Sequence, residues 1–549
     1  MTISWTDAFV FFLYLAITLA IGYWVGRREK ESARQYFLAG YSLPWYAVGL
    51  SMVSASISTE QFIGEVGFAY TAGLSVANWE LGVFPAFMIM IWFLLPLYLR
   101  QKLFTIPEYL EQRYGPKTRT LFAVVTLLNY ALINLAGVVY LAGFALHQIF
   151  GLPLFWSAVA LTVVTGGYAI YGGLASVAWT DVFQAALLLV GGLIVFLFGM
   201  NYVGWDWSAI VSPDPSRGHI IAPLSHPHFP WTGVVVLMLS TNVWYCCTNQ
   251  FYIQRCLGAR STWDGRMGIL LACVLGIALA LCVCFPGLIA YRIFPKLPRD
   301  DQAYMMLVKE VLPRGLQGVL LAALVAAIMS TISSLINSTA TVFSIDIYRK
   351  FIRRDVSDKR LMTVGRISGA VAVVLACLMA PVVGMRRNIF LYFQDSWAVL
   401  AVPVSVVFIL GSLWKRATPS AAWATMLLTI IYLPITFIWR SAEDLDALQA
   451  NAAWLHDLAP PAWKVVNSVT HSMHYFTFVC LLWLATYVFM IGWSLCTRDP
   501  HAAEHGKLVW RPEMVRRPSE ETPRPWYQGV GFWSLVLAVV FGLIYVVLW

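Results

Sequence analysis

Ala327, Ser330 and Thr331 stand at i, i+3 and i+4 in one apolar run, so they share one face of one helical turn. Two hydroxyls beside a backbone carbonyl suit a hard, monovalent cation that accepts neutral oxygen ligands. Close packing of small residues between helices is the other reading of the same pattern. A second segment, from Ser51 to Gly64, carries Ser51, Ser54, Ser56, Ser58, Thr59, Glu60 and Gln61 inside an otherwise apolar run. Polar groups at membrane depth are costly. A broken helix there is tolerated where its backbone lines a cavity or binds an ion. The alternative is serine back-bonding to an intact helix at a tight helix contact.

Further polar residues occur where apolar spans are expected. Glu80 opens one span and Asp181 another; Asn242, Tyr245, Thr248, Asn249 and Gln250 crowd a third; Gln394 and Asp395 sit between Phe393 and Trp397 in a fourth. Amides, a carboxylate and aromatic faces are the groups that hold a neutral polyhydroxylated ligand, provided that the helices converge. No Ser–His–Asp set, His/Glu metal spacing or phosphate-cradling glycine loop accompanies them, so the expectation is a non-enzyme. His147, within a span, reads as packing. The nine cysteines lie in or beside apolar runs and read as small packers rather than a disulfide framework.

The elements that must position these groups are membrane helices. Of 549 residues, 59% are hydrophobic and 12% charged, with a net charge of +9; mean hydropathy is +0.70. So few charges cannot cover that much apolar surface in a water-soluble globule. A nucleic-acid binder, a secreted disulfide scaffold and a disordered chain are excluded. A spanning helix needs about 20 mainly apolar residues. Fourteen candidate runs meet that need, at about 5–26, 43–71, 80–100, 119–148, 153–172, 180–204, 229–254, 266–294, 315–348, 361–384, 388–413, 420–440, 473–496 and 530–549. Lysine and arginine concentrate in alternate connections, for instance Arg349, Lys350, Arg353, Arg354, Lys359 and Arg360. That bias predicts both termini outside. The stretch of about 497–529, rich in proline and charge, reads as a cytoplasmic loop. The first run lacks a basic segment before it and reads as a retained span.

At the polar segments the sequence resembles the sodium/solute symporter family, most closely its sodium/sugar cotransporter branch. The resemblance runs through Ser58 to Gly64, Ile170 to Ser176, Trp179 to Asp181, the pair Gln254-Arg255 and Asn337 to Tyr348, with a weaker match at Gly411 to Lys415. The stretches keep the family's order over roughly residues 5–440. The resemblance implies an all-α polytopic membrane protein whose core is a 5+5 inverted repeat of the leucine-transporter type, with a broken first helix in each half. Residues 5–26 would be a peripheral first helix, 43–204 the first repeat, 229–413 the second, and 420–549 peripheral, all within one membrane domain 1–549.

Carried over residue by residue, the likeness implies a sodium site of the Ser54, Ile57 and Ala327 carbonyls with the Ser330 and Thr331 hydroxyls. Asp181 would lie on the sodium exit route. Gln61, Glu80, Asn242 and Gln394 would bind the solute, with Tyr245 as an inner gate. The implied function is sodium-coupled uptake of a sugar or polyol at a plasma membrane (the inner membrane in a bacterium). The partners would be that solute and the lipid, without nucleic acid or an obligatory protein. Two departures stand out. Where sugar-branch members often carry a lysine this chain has Gly276, and where many have a tryptophan after the gating tyrosine it has Cys246. A same-fold symporter for an amino acid, carboxylate or anion, and a transport-dead sensor, are the competing readings.

Overall fold

A computed structural model of the chain describes residues 5–27, 32–212, 214–313, 316–384, 389–443, 473–515 and 524–549. Among these the regular structure is helical, with one isolated bridge between Leu43 and Ala259. Part of the expected 497–529 loop lies outside the described residues. Leucine, isoleucine and valine side chains such as Val163, Leu378, Val488 and Leu535 are exposed, while Ser54, Thr59, Glu60, Asp181 and Ser330 are buried. Apolar outside and polar inside is the arrangement that a lipid solvent favours.

Ten described helices are long and apolar enough to cross a membrane. The difference from fourteen has local causes. Leu154–Tyr202 runs two expected spans together, 49 residues in all, through a kink at Gly173. There φ is +64°, and a Cβ would stand 2.3 Å from the Tyr36 carbonyl oxygen; only glycine turns the chain at that point. Glu60–Arg100 likewise joins parts of two expected spans. The run expected at 229–254 is cut into pieces too short to qualify, and Pro419–Glu443 is described in full only over its first part.

The long helix Gln317–Val342 is the centre of the molecule. In its most apolar stretch 94% of residues are buried, against 22% for Trp5–Gly26, 28% for Tyr475–Cys496 and 22% for Val530–Val547. Those three helices therefore lie at the lipid-facing edge. Asp7 ties the first of them to the centre, its Oδ1 accepting the Gly318 backbone N–H at 2.7 Å. A carboxylate there meets the positive end of the central helix.

Two helices break beside this centre. Trp45–Ser56 ends at Ile57, which is extended (φ −91°, ψ 122°). The chain resumes as a wide π-helical turn, Glu60–Glu65. Asn249 (φ −81°, ψ 119°) separates Asn242–Thr248 from Gln250–Leu257. A π-helical turn, Leu237–Thr241, precedes that second break. Such turns shift side chains out of α-helical register and recur at functional sites.

Candidate functional site

The first break presents its carbonyls to the central helix. In an intact helix the Ser54 carbonyl would accept the Ser58 N–H. Here that N–H donates instead to Gln61 Oε1 at 2.7 Å. The freed Ser54 carbonyl accepts from Ser330 Oγ at 2.7 Å. Thr331 Oγ1 has the carbonyls of Ala55 at 3.2 Å and Ile57 at 3.1 Å within reach of its single proton. Both hydroxyls also reach the Ala327 carbonyl, at 3.0 and 3.1 Å. Ser54, Ile57, Ala327, Ser330 and Thr331 thus converge, joined by Ala55, and all six are nearly or fully buried. Six neutral oxygens and no carboxylate suit a monovalent cation. Among the described residues no group of three His, Cys, Asp or Glu could hold a metal ion.

One turn away along both helices stands Asp181. Its Oδ2 accepts from Ser51 Oγ at 2.6 Å and pairs with Arg255 at 2.8 Å. Arg255 Nε also donates to Ser51 Oγ at 2.6 Å, and its remaining nitrogens reach Ser334 and the Phe251 carbonyl. Ser51 precedes Ser54 by three residues and Ser334 follows Thr331 by three. The ion pair therefore lies about 5 Å along the helix axes from the hydroxyl–carbonyl cluster. Asp181 Oδ1 has no hydrogen-bond partner.

On another side of the break opens a cavity of about 620 Å³, its mouth included. Gln61, Glu80, Asn242, Tyr245 and Gln394, from four separate stretches of chain, all line it. Gln61 spends its carbonyl on the break, which leaves its NH₂ end as the donor. Gln394 Nε2 donates weakly to Glu60 Oε1 at 3.4 Å. Asn242 Nδ2 is buried without a partner. The half-buried Tyr245 ring lies 5.5 Å from Trp397 and 5.4 Å from Phe251. Trp397 is fixed in turn by Nε1 donating to Asn134 Oδ1 at 2.9 Å. Amide donors, a carboxylate and ring faces around one space can recognise a compact polyhydroxylated solute.

Of the two departures, Gly276 lines the cavity, and Cys246 is buried outside its lining. The Asp395 side chain lies outside the described residues. Sequence reasoning missed Ala55 of the cluster and Trp79, Thr241 and Tyr252 of the cavity lining. They carry no signal of their own, because only the fold brings them to the site.

A sequence model of the sodium:solute symporter family matches residues 36–429. The chain is similar to a sodium/glucose cotransporter of Vibrio parahaemolyticus, 38% identical over 450 residues, or 76% of this chain and 83% of that one. It is similar to sodium/myo-inositol cotransporter 2 of Mus musculus, 29% identical over 557 residues, or 94% of this chain and 81% of that one. The fold matches that of a Na⁺-coupled sialic acid symporter solved in a substrate-bound, outward-open state, with a TM-score of 0.70 and 20% identity over 90% of this chain and 98% of that one.

Proposed function

The chain belongs to the sodium:solute symporter family, and from that premise we infer that it couples sodium entry to uptake of a sugar or sugar-like polyol by alternating access. One observation carries the reading. Gln61 faces the cavity and also holds Ser58, so the solute site and the carbonyl cluster share one broken helix. Sodium acting on the carbonyls of Ser54, Ile57 and Ala327 and on the Ser330 and Thr331 hydroxyls would set the break. Solute acting on Gln61 would pull on the same residues. Coupling needs this difference between states, since an ion that binds all conformations equally shifts nothing.

The finer architecture belongs to the same reading. Fourteen crossings follow if Leu154–Tyr202 and Glu60–Arg100 are each divided in two, each broken helix is counted as one span, and Pro419–Glu443 is added. Residues 43–204 and 229–413 would form the inverted repeats, each entered by a broken helix, with 5–26 and 420–549 peripheral. The lysine and arginine distribution supports both termini outside a plasma membrane. Tyr245 would move with its aromatic neighbours to release solute inward, and sodium would leave past Asp181. A charge crossing 100 mV is worth about 2.3 kcal/mol, and a tenfold sodium gradient adds about 1.4. Together they sustain roughly a 500-fold solute gradient at one sodium per cycle.

The direct test is uptake of a radiolabelled sugar and polyol panel into proteoliposomes. Sodium-dependent accumulation of at least one member is expected. A folded, sodium-binding protein that accumulates none would defeat the reading. Asn242→Ala is expected to weaken solute binding about tenfold, the worth of roughly one hydrogen bond to a buried donor. Sodium affinity measured without solute should stay within about twofold. Equal losses in both would remove Asn242 from the solute site.

A further inference from the structure

We propose that Phe229 backs the wall of the cavity through Trp79, and that His226 positions it only while its imidazole is neutral, so that acid on the outer side loosens the solute site. The inference goes beyond the proposed function and rests on that reading of the cavity only for its effect on solute. Trp79 lines the cavity. The fully buried Phe229 ring lies 4.3 Å from the Trp79 ring between centroids. Phe476 completes the cluster, 5.1 Å from Phe229 and 6.3 Å from Trp79. Phe229 also stands just before the helix Trp231–Val236, which runs into Leu237–Thr241. Leu237 and Thr241 both line the cavity. The placing of Phe229 therefore bears on the cavity wall twice, by its ring and by the helix that it leads into.

One side chain fixes the Phe229 backbone. His226 Nδ1 stands 3.0 Å from the Phe229 nitrogen and 3.3 Å from the His228 nitrogen. A backbone N–H only donates, so Nδ1 accepts here and carries no proton. In the imidazolium both ring nitrogens are donors, and a proton on Nδ1 would set N–H against N–H. His226 is half-buried, within reach of solvent; on the orientation proposed above, the connection 205–228 faces the outer solution. The titratable and charged groups facing His226 are His228, His474, Arg217 and Asp214. His474 leans over the turn, its Nε2 3.2 Å from the Pro227 carbonyl oxygen. Burial, and after it His228, His474 and Arg217, hold the His226 pKa below its ordinary value, against a smaller opposite pull from Asp214. The opened turn takes up its proton near the ordinary value of about 6.5, and the closed turn only at lower pH. The turn is therefore fully held above about pH 6.5 and loosens as the pH falls below it.

The test follows backbone hydrogen exchange of the purified full-length protein in detergent, read by mass spectrometry over residues 224–232 and corrected for the intrinsic rate at each pH. The two conditions are about pH 7.5 and about pH 5.5, one unit on either side of the ordinary imidazole value. Opening of the segment should rise several-fold in acid, up to the roughly tenfold that one proton supplies over that interval. His226→Asn should cut the rise to less than about twofold, because the amide carbonyl accepts the same N–H bonds and does not titrate. In proteoliposomes, acid outside should raise the KM for glucose or myo-inositol at least about threefold more in the unaltered protein than in His226→Asn. A rise in exchange below about twofold, a rise that survives His226→Asn, or equal KM shifts in the two proteins overturns the proposal. Transport of neither solute at either pH would defeat the proposed function instead, and the exchange comparison then decides the turn. Should His226→Asn fail to fold, the exchange of the unaltered protein at the two pH values decides.

Discussion

Alanine at both Ser330 and Thr331 is expected to raise the sodium concentration for half-maximal uptake by at least about a hundredfold. Each hydroxyl is one of six converging oxygens, and each contact to a charged group is worth about 1.5–3 kcal/mol. Losing two therefore costs roughly 3 kcal/mol or more, which is a hundredfold or greater. The remaining four oxygens are backbone carbonyls, which no side-chain substitution removes directly. Thr331→Ser keeps the hydroxyl and should shift the sodium requirement by less than about threefold. Solute binding at very high sodium should recover, because the cavity residues are untouched. Sodium-titrated uptake in proteoliposomes reads both variants. A double variant with unchanged sodium dependence would show that the cluster is a packing contact between small residues.

The side-chain half of that cluster and the Ala327 carbonyl were legible in the sequence, and the carbonyls of the broken helix were not. Ser330 and Thr331 announce themselves by type and by helical spacing. The carbonyls that join them depend on where the helix breaks, which Gln61 decides by capturing the Ser58 N–H. No spacing rule shows such a capture, so Ala55 entered only with the structure. The likeness to a family carried Ser54 and Ile57, which residue types alone would have missed. The cavity shows the same division. Gln61, Glu80, Asn242, Tyr245 and Gln394 stood out as polar or aromatic residues at membrane depth. Their convergence is a product of long-range packing, as are the contributions of Thr241, Tyr252 and Trp397.

The number of continuous helices differs from the fourteen expected runs for a related reason. Gly173, at φ +64°, turns the chain between the expected runs 153–172 and 180–204, so the 49-residue stretch Leu154–Tyr202 holds both. Conversely, the polar Asn249 break divides a run that hydropathy reads as continuous. Both differences fall where the backbone departs from regular geometry. In this protein the converging carbonyls of Ser54, Ala55 and Ile57 and the cavity-lining Gln61 gather at one such departure.

Arg255→Met is expected to destabilise the protein by about 3–5 kcal/mol, the cost of leaving a buried charge without its partner. Asp181 is fully buried, and its remaining partner would be the Ser51 hydroxyl. Ser334 would lose its contact with the arginine as well. Thermal unfolding in detergent should show the loss. Adding Asp181→Asn removes the stranded charge and should restore most of the stability, so the two substitutions together should cost less than Arg255→Met alone. Additive losses would mean that the pair is not coupled. The rescued double variant then asks a functional question. Asp181 stands one helical turn from the hydroxyl–carbonyl cluster along both helices. If sodium leaves past it, the double variant should bind sodium about as tightly as before but turn over several-fold more slowly. A folded double variant with unaltered turnover would leave the ion pair a purely structural tie between the broken helix and the helical centre.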